Sequence, residues 1–95
     1  MEYIAFMHKN TDSVATSEEW ERFLALARDS GLFQGGSEVG ERTVLGEKAV
    51  ADTSASVGGY MRFETSSINE LNELLRKHPT IIHGGTIEIC ELPKS

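Results

Sequence analysis

Cysteine is nearly absent from this sequence, and so is any excess of positive charge. Cys90 is the single cysteine, so no intrachain disulfide can form. No cysteine or histidine lies near it at zinc-ligand spacing, and a small, buried, apolar role is expected. Nine Lys and Arg against fifteen Asp and Glu leave a net charge of -6. That balance excludes a nucleic-acid partner, because binding to a phosphate backbone rests on Lys and Arg neutralising it. Apolar runs stop after a few residues, whereas a membrane-spanning helix needs about 20. Met1 leads directly into a strand pattern with no basic and apolar leader, which gives a soluble, cytoplasmic protein as the expectation. Gly58-Gly59 and Gly84-Gly85 do not open a helix at phosphate-loop spacing, and no Lys-Ser/Thr follows them. Close packing of backbones is their expected purpose. The three histidines have no local metal-motif spacing, so neither a metal nor a cofactor is expected.

What is present fits one domain over residues 1–95. A domain this small buries roughly 60–65% of the surface its unfolded chain exposes, so a second subunit would add useful burial. Glu2-Tyr3-Ile4-Ala5-Phe6-Met7 reads as a strand that is apolar on both faces, hence central. Thr16 and Glu19 have capping-box spacing, and Trp20, Phe23, Leu24 and Ala27 follow as a helical stripe that Gly31 ends. Trp20 is expected to be largely buried against the sheet. Leu32–Val39 reads as a second strand with a bulge or close approach at Gly35-Gly36. Arg42–Leu45 and Lys48–Ala51, around Gly46-Glu47, suggest a projecting hairpin. Val57–Glu64 alternates as a central strand, with Met61 and Phe63 on one face and Tyr60, Arg62 and Glu64 on the other. Ser67 and Glu70 repeat the capping signal for a second helix with Ile68, Leu71, Leu74 and Leu75 as its stripe, ending at His78-Pro79. Residues 80–85 form a connection, and Thr86–Leu92 alternates as the last strand, with Ile87 and Ile89 opposite Glu88 and Cys90.

The order β-α-β-(hairpin)-β-α-β predicts an α+β, ferredoxin-like sandwich, with two helices on one face of a four-stranded, mainly antiparallel sheet. The other face would carry apolar residues from strand one, Tyr60 and Cys90, too apolar a surface to leave in water.

The opening strand, the Trp/Phe helix ending in glycine, Gly58-Gly59-Tyr60, Lys77-His78-Pro79 and Gly84-Gly85-Thr86-Ile87-Glu88-Ile89 together resemble the YCII-related domains of the DGPF type. The likeness covers nearly the whole chain. It implies a ferredoxin-like fold that dimerises through its sheets into an α/β barrel, and it marks the residue before Pro79, here His78, as a catalytic position. Asp52 can stand for the first residue of the family's DGPF loop, but Gly-Pro-Phe does not follow it.

His78, His8 and Glu88 are the candidate acid/base groups, and Arg62, Tyr60, Asp52 and His83 the candidate substrate-binding ones. His78 reads structurally as a C-terminal helix cap, where the helix dipole favours the protonated ring. Arg62 and Glu88 sit on strands that this topology brings close, as an ion pair or as an anion anchor beside a carboxylate. No Ser-His-Asp or Cys-His arrangement follows from the spacings. The expected function is binding of a small anionic or carbonyl metabolite at the sheet face of a homodimer, with isomerase- or lyase-type proton transfer. The alternative is a non-catalytic self-associating or regulatory module.

Overall fold

Seven residues, Glu2–His8, form strand β1, in which Ala5 and Met7 are buried while Ile4 and Phe6 are half-exposed. A computed structural model of the chain describes residues 1–50 and 52–94; Ala51, Ser95 and the side chains of Asp52 and Thr53 lie outside that description. Helix α1 (Ser17–Asp29) starts with a complete capping box. The Thr16 hydroxyl accepts from the Glu19 amide at 3.1 Å, and Glu19 Oε1 accepts from the Thr16 amide at 3.0 Å. The helix closes at Ser30, and Gly31 turns the chain away at φ 74°. Strand β2 (Phe33–Glu38) pairs antiparallel with β3 (Val57–Glu64), with a register shift at Gly35. At Gly36 an added Cβ would stand 2.3 Å from the Tyr60 carbonyl oxygen, so the close approach suspected there is present.

Helix α2 (Ile68–Leu75) is followed by a separate short helix α3 (Pro79–Ile82) and strand β4 (Ile87–Leu92). The sheet order is β2-β3-β1-β4, with all pairings antiparallel. This is the ferredoxin-like α+β fold. The molecule is 18 Å through its thinnest direction, one sheet plus one layer of helices. Between the layers lie Phe23, Phe63 and Leu71, essentially without exposure, together with Ala5, Ala27, Met61 and Leu75. Each large side chain fully buried there contributes on the order of 1.5–3 kcal/mol.

Four expectations are corrected. Residues 42–50 form no hairpin: Val44, Leu45 and Val50 stand exposed at 58, 98 and 54%, and Ala51 is outside the described residues. A two-stranded ribbon with nothing to bury its apolar side against is marginal in water. Trp20 is half-buried rather than largely buried, because Phe23 and Ala27 take the centre of the helix contact. Ile68 is exposed at 39%, leaving Leu71 and Leu75 as the anchors of α2. Cys90 is half-buried on the open sheet face, not within the core.

Candidate functional site

The loop after β1 is fastened to the turn before β4. Asn10 donates from Nδ2 to Thr86 Oγ1 and accepts from the Thr86 amide, both at 2.9 Å. The Asp12 amide donates to the His83 carbonyl at 2.8 Å. Gly84 permits this contact: its φ is 83°, and a Cβ there would lie 2.3 Å from Asp12 Oδ2. Fixed in this way, the loop sets Ser13 against His83.

His83 closes the short helix α3 and is held on both ring nitrogens. Ser13 Oγ lies 2.6 Å from Nδ1, and Glu19 Oε2 lies 2.8 Å from Nε2. Glu19 is held below the ordinary carboxylate pKa, first by the Thr16 amide and then by its hydrogen bond with His83, so it is ionised at neutral pH. An ionised carboxylate accepts only, so Nε2 carries a proton, and in the neutral ring Nδ1 accepts from the Ser13 hydroxyl. Ser13, His83 and Glu19 thus form a serine-imidazole-carboxylate chain from residues spread over 70 positions.

Ser13 and His83 stand on the wall of a pocket of about 630 Å³ on the helix side of the sheet. Met7, Leu24, Phe33 and Met61 make the apolar part of the lining, with Trp20 and Thr80 beside His83. Thr11, Ser37 and Glu38 add polar groups to the lining, and a pocket of that volume suits a small organic molecule. His8 and Tyr60 border the same pocket.

A second cluster of the same composition is centred on His8, itself on the border of that pocket. His8 follows a bulge at the end of β1; its Nδ1 is 2.5 Å from Ser56 Oγ and its Nε2 3.0 Å from Glu88 Oε1. Register sets Phe6 between Tyr60 and Glu88, and Ile4 between Arg62 and Cys90, which puts Tyr60, Arg62 and Glu88 on the open face. The predicted Arg62–Glu88 pair is not made among the described residues. Glu88 takes His8, and exposed Arg62 reaches the Gln34 carbonyl at 3.5 Å. The Asp52 side chain lies outside the described residues.

His78 is the largest repositioning. It does not close α2 but caps the start of α3, where Nδ1 accepts from the Thr80 amide at 2.9 Å. The ring is fully buried, with the Trp20 and Phe23 rings at 4.9 and 4.6 Å. Burial pushes its pKa down to about 4, the opposite of the protonated state that a helix C-terminus would favour. Nε2 has no hydrogen-bond partner among the described residues.

Neither serine–histidine–glutamate cluster was visible in the spacings. Glu19 carried a signal, but as a helix cap; Ser13 and Ser56 carried none. Among the described residues no group of three or more His, Cys, Asp and Glu is placed to hold a metal ion, and no helix is long and apolar enough to cross a membrane.

No protein-family model matches the chain, and no curated protein matches it. Among solved structures, the chain is similar to 5-chloro-2-hydroxyhydroquinone dehydrochlorinase (TftG) from Burkholderia phenoliruptrix AC1100, in complex with 2,5-dihydroxybenzoquinone. The TM-score is 0.63 at 15% identity, over 100% of this chain and 96% of the dehydrochlorinase chain. The two proteins share a fold. At that identity the likeness reaches no further than the fold, and the DGPF-type assignment stands as a resemblance.

Proposed function

We propose that the chain binds a small, flat, oxygen-bearing metabolite in the pocket of about 630 Å³ and transfers a proton on it. The observation that carries this reading is His83: an imidazole on the wall of a largely apolar cavity, oriented by the Glu19 carboxylate. A base held in one tautomer at the edge of a pocket is suited to removing or returning a proton beside a carbonyl. The fold shared with the dehydrochlorinase supports the choice of ligand, since that protein was captured with a dihydroxybenzoquinone. His83 therefore moves from substrate binding to acid/base work in this reading. Fully buried His78 shapes the pocket from behind Trp20 and exchanges no proton with the substrate.

His8, Glu88, Tyr60 and Arg62 belong to the open sheet face in this proposal, where a second copy of the chain would pack. Half-exposed Ile4, Phe6, Cys90 and Leu92 on that face favour self-association. Burying the face would enclose the His8–Glu88 pair beside the partner's equivalent surface.

The experiment is a titration with 2,5-dihydroxybenzoquinone, followed through the single tryptophan, Trp20, which lines the pocket. Saturable quenching, weakened at least tenfold in affinity by His83→Ala, is expected. Linear, non-saturating quenching identical in both proteins would sink the reading.

A further inference from the structure

The Ser13 hydroxyl has a place in the pocket that proton transfer to a bound ring does not require. It is exposed, it borders the cavity, and it donates to the one imidazole nitrogen that Glu19 leaves basic. Three features of an activated serine coincide here. The hydroxyl is 2.6 Å from the imidazole, the imidazole is 2.8 Å from a carboxylate on its other nitrogen, and the carboxylate is anchored by a backbone amide at 3.0 Å. Compared with the familiar serine–histidine–acid arrangement, the two ring nitrogens are exchanged, with serine at Nδ1 and acid at Nε2. The proton path is unaffected, because each nitrogen of a neutral imidazole can play either part.

We infer that Ser13 is a nucleophile, and that the pocket accepts small esters of short carboxylic acids with a good leaving group. Ser13 Oγ attacks the ester carbonyl carbon while its proton passes to His83 Nδ1; the imidazolium is held by Glu19. The tetrahedral adduct collapses by breaking the bond to the leaving alcohol, which takes the proton from Nδ1, and an acyl-Ser13 remains. Water then loses a proton to His83 Nδ1, attacks the acyl carbon, and releases the acid as Ser13 regains its hydrogen. No redox change occurs, and water is the one co-reactant. Val14 and Ala15, next along the chain, line the same pocket. The apolar lining of Met7, Leu24, Phe33 and Met61 favours an uncharged acyl group.

The inference rests on the pocket proposed above, and the test separates the two. The protein is treated with diisopropyl fluorophosphate and analysed by peptide mass spectrometry, and hydrolysis of p-nitrophenyl acetate is followed in parallel. One covalent adduct on Ser13 is expected, absent in Ser13→Ala and slowed at least tenfold in His83→Asn; ester hydrolysis should fall at least tenfold in Ser13→Ala. No adduct on Ser13, or the same hydrolysis rate in Ser13→Ala, overturns the nucleophile. The dihydroxybenzoquinone titration is repeated on Ser13→Ala. Retained saturable binding with no Ser13 labelling in the wild type refutes the nucleophile and leaves the pocket reading standing, whereas labelling of Ser13 in a protein that does not bind the quinone supports the nucleophile alone.

Discussion

Glu19 and His83 are joined at 2.8 Å across 64 residues of sequence, and the same carboxylate closes the capping box of its own helix. One oxygen, Oε1, accepts from the Thr16 amide; the other, Oε2, accepts from the imidazole. The helix start and the orientation of the candidate base are therefore held by a single side chain.

Glu19→Gln should separate these duties. The amide oxygen can still accept from Thr16, so the loss of stability should stay below about 1 kcal/mol, at the low end for a weakened cap. Its NH2 would donate to Nε2 and drive the proton to Nδ1, and the Ser13 hydroxyl would then lose its acceptor. Imidazole 15N chemical shifts should show the tautomer exchanged; an unchanged tautomer would mean that Glu19 does not set it.

Phe23 and Trp20 lie three positions apart on α1, and their substitutions should differ. Phe23 is 1% exposed in the centre of the core, and Phe23→Ala should cost about 3–5 kcal/mol. Half-buried Trp20 lines the pocket, so Trp20→Ala should cost less than half as much while abolishing quinone binding. Chemical denaturation of both variants checks the order, and equal losses would place Trp20 back in the core.

His78 should make the protein acid-sensitive. Its pKa falls from 6.5 to about 4 on folding, so between these values the unfolded chain binds a proton that the folded chain excludes. Stability is complete above about pH 6.5 and declines as the pH drops towards 4, by roughly 3 kcal/mol from this group. His78→Asn keeps an acceptor for the Thr80 amide without the titration, and its melting temperature should fall less over the same range. A parallel fall in both proteins would assign the acid sensitivity to other groups.

Gly36→Ala should destabilise by about 1–3 kcal/mol, since the new methyl meets the Tyr60 carbonyl and Met61 Cα across the β2–β3 ladder. Gly40 has nothing within 4 Å of the same position, and Gly40→Ala serves as the control. Thermal melts that rank the two equally would contradict the close strand approach.

The open sheet face should hold a dimer. Light scattering at micromolar concentration is expected to give about twice the chain mass of 10.5 kDa, and Phe6→Glu should return it to one chain mass. A single chain mass for the wild type would leave Ile4, Phe6 and Cys90 facing water.

Much of the architecture was legible because it is written in short-range chemistry. The Thr16–Glu19 capping box, the Gly31 stop, the alternation of Met61 and Phe63 and the Gly35-Gly36 irregularity are relations within a few residues, and each appears where the pattern placed it. The hairpin at 42–50 failed because strand-like alternation has no force without a neighbouring edge to pair with. His78 was misplaced for a related reason. Pro79 reads equally well as the end of one helix or the first residue of the next, and the Thr80 amide, aimed at Nδ1, settles it as the latter.

The candidate site divides along the same line. By itself the sequence determined that histidines would stand at the end of β1 and at the turn before β4, since strand-ending polar residues and a Gly-Gly turn are local features. Which partners they take was decided by tertiary structure alone. Ser13 reaches His83 because the loop after β1 is tied to Thr86 and Gly84, and Glu19 reaches it because α1 packs over the same end of the sheet. Hydrogen bonds between residues 48 to 80 positions apart have no periodicity to announce them, because chain folding and not spacing brings their atoms within 3 Å.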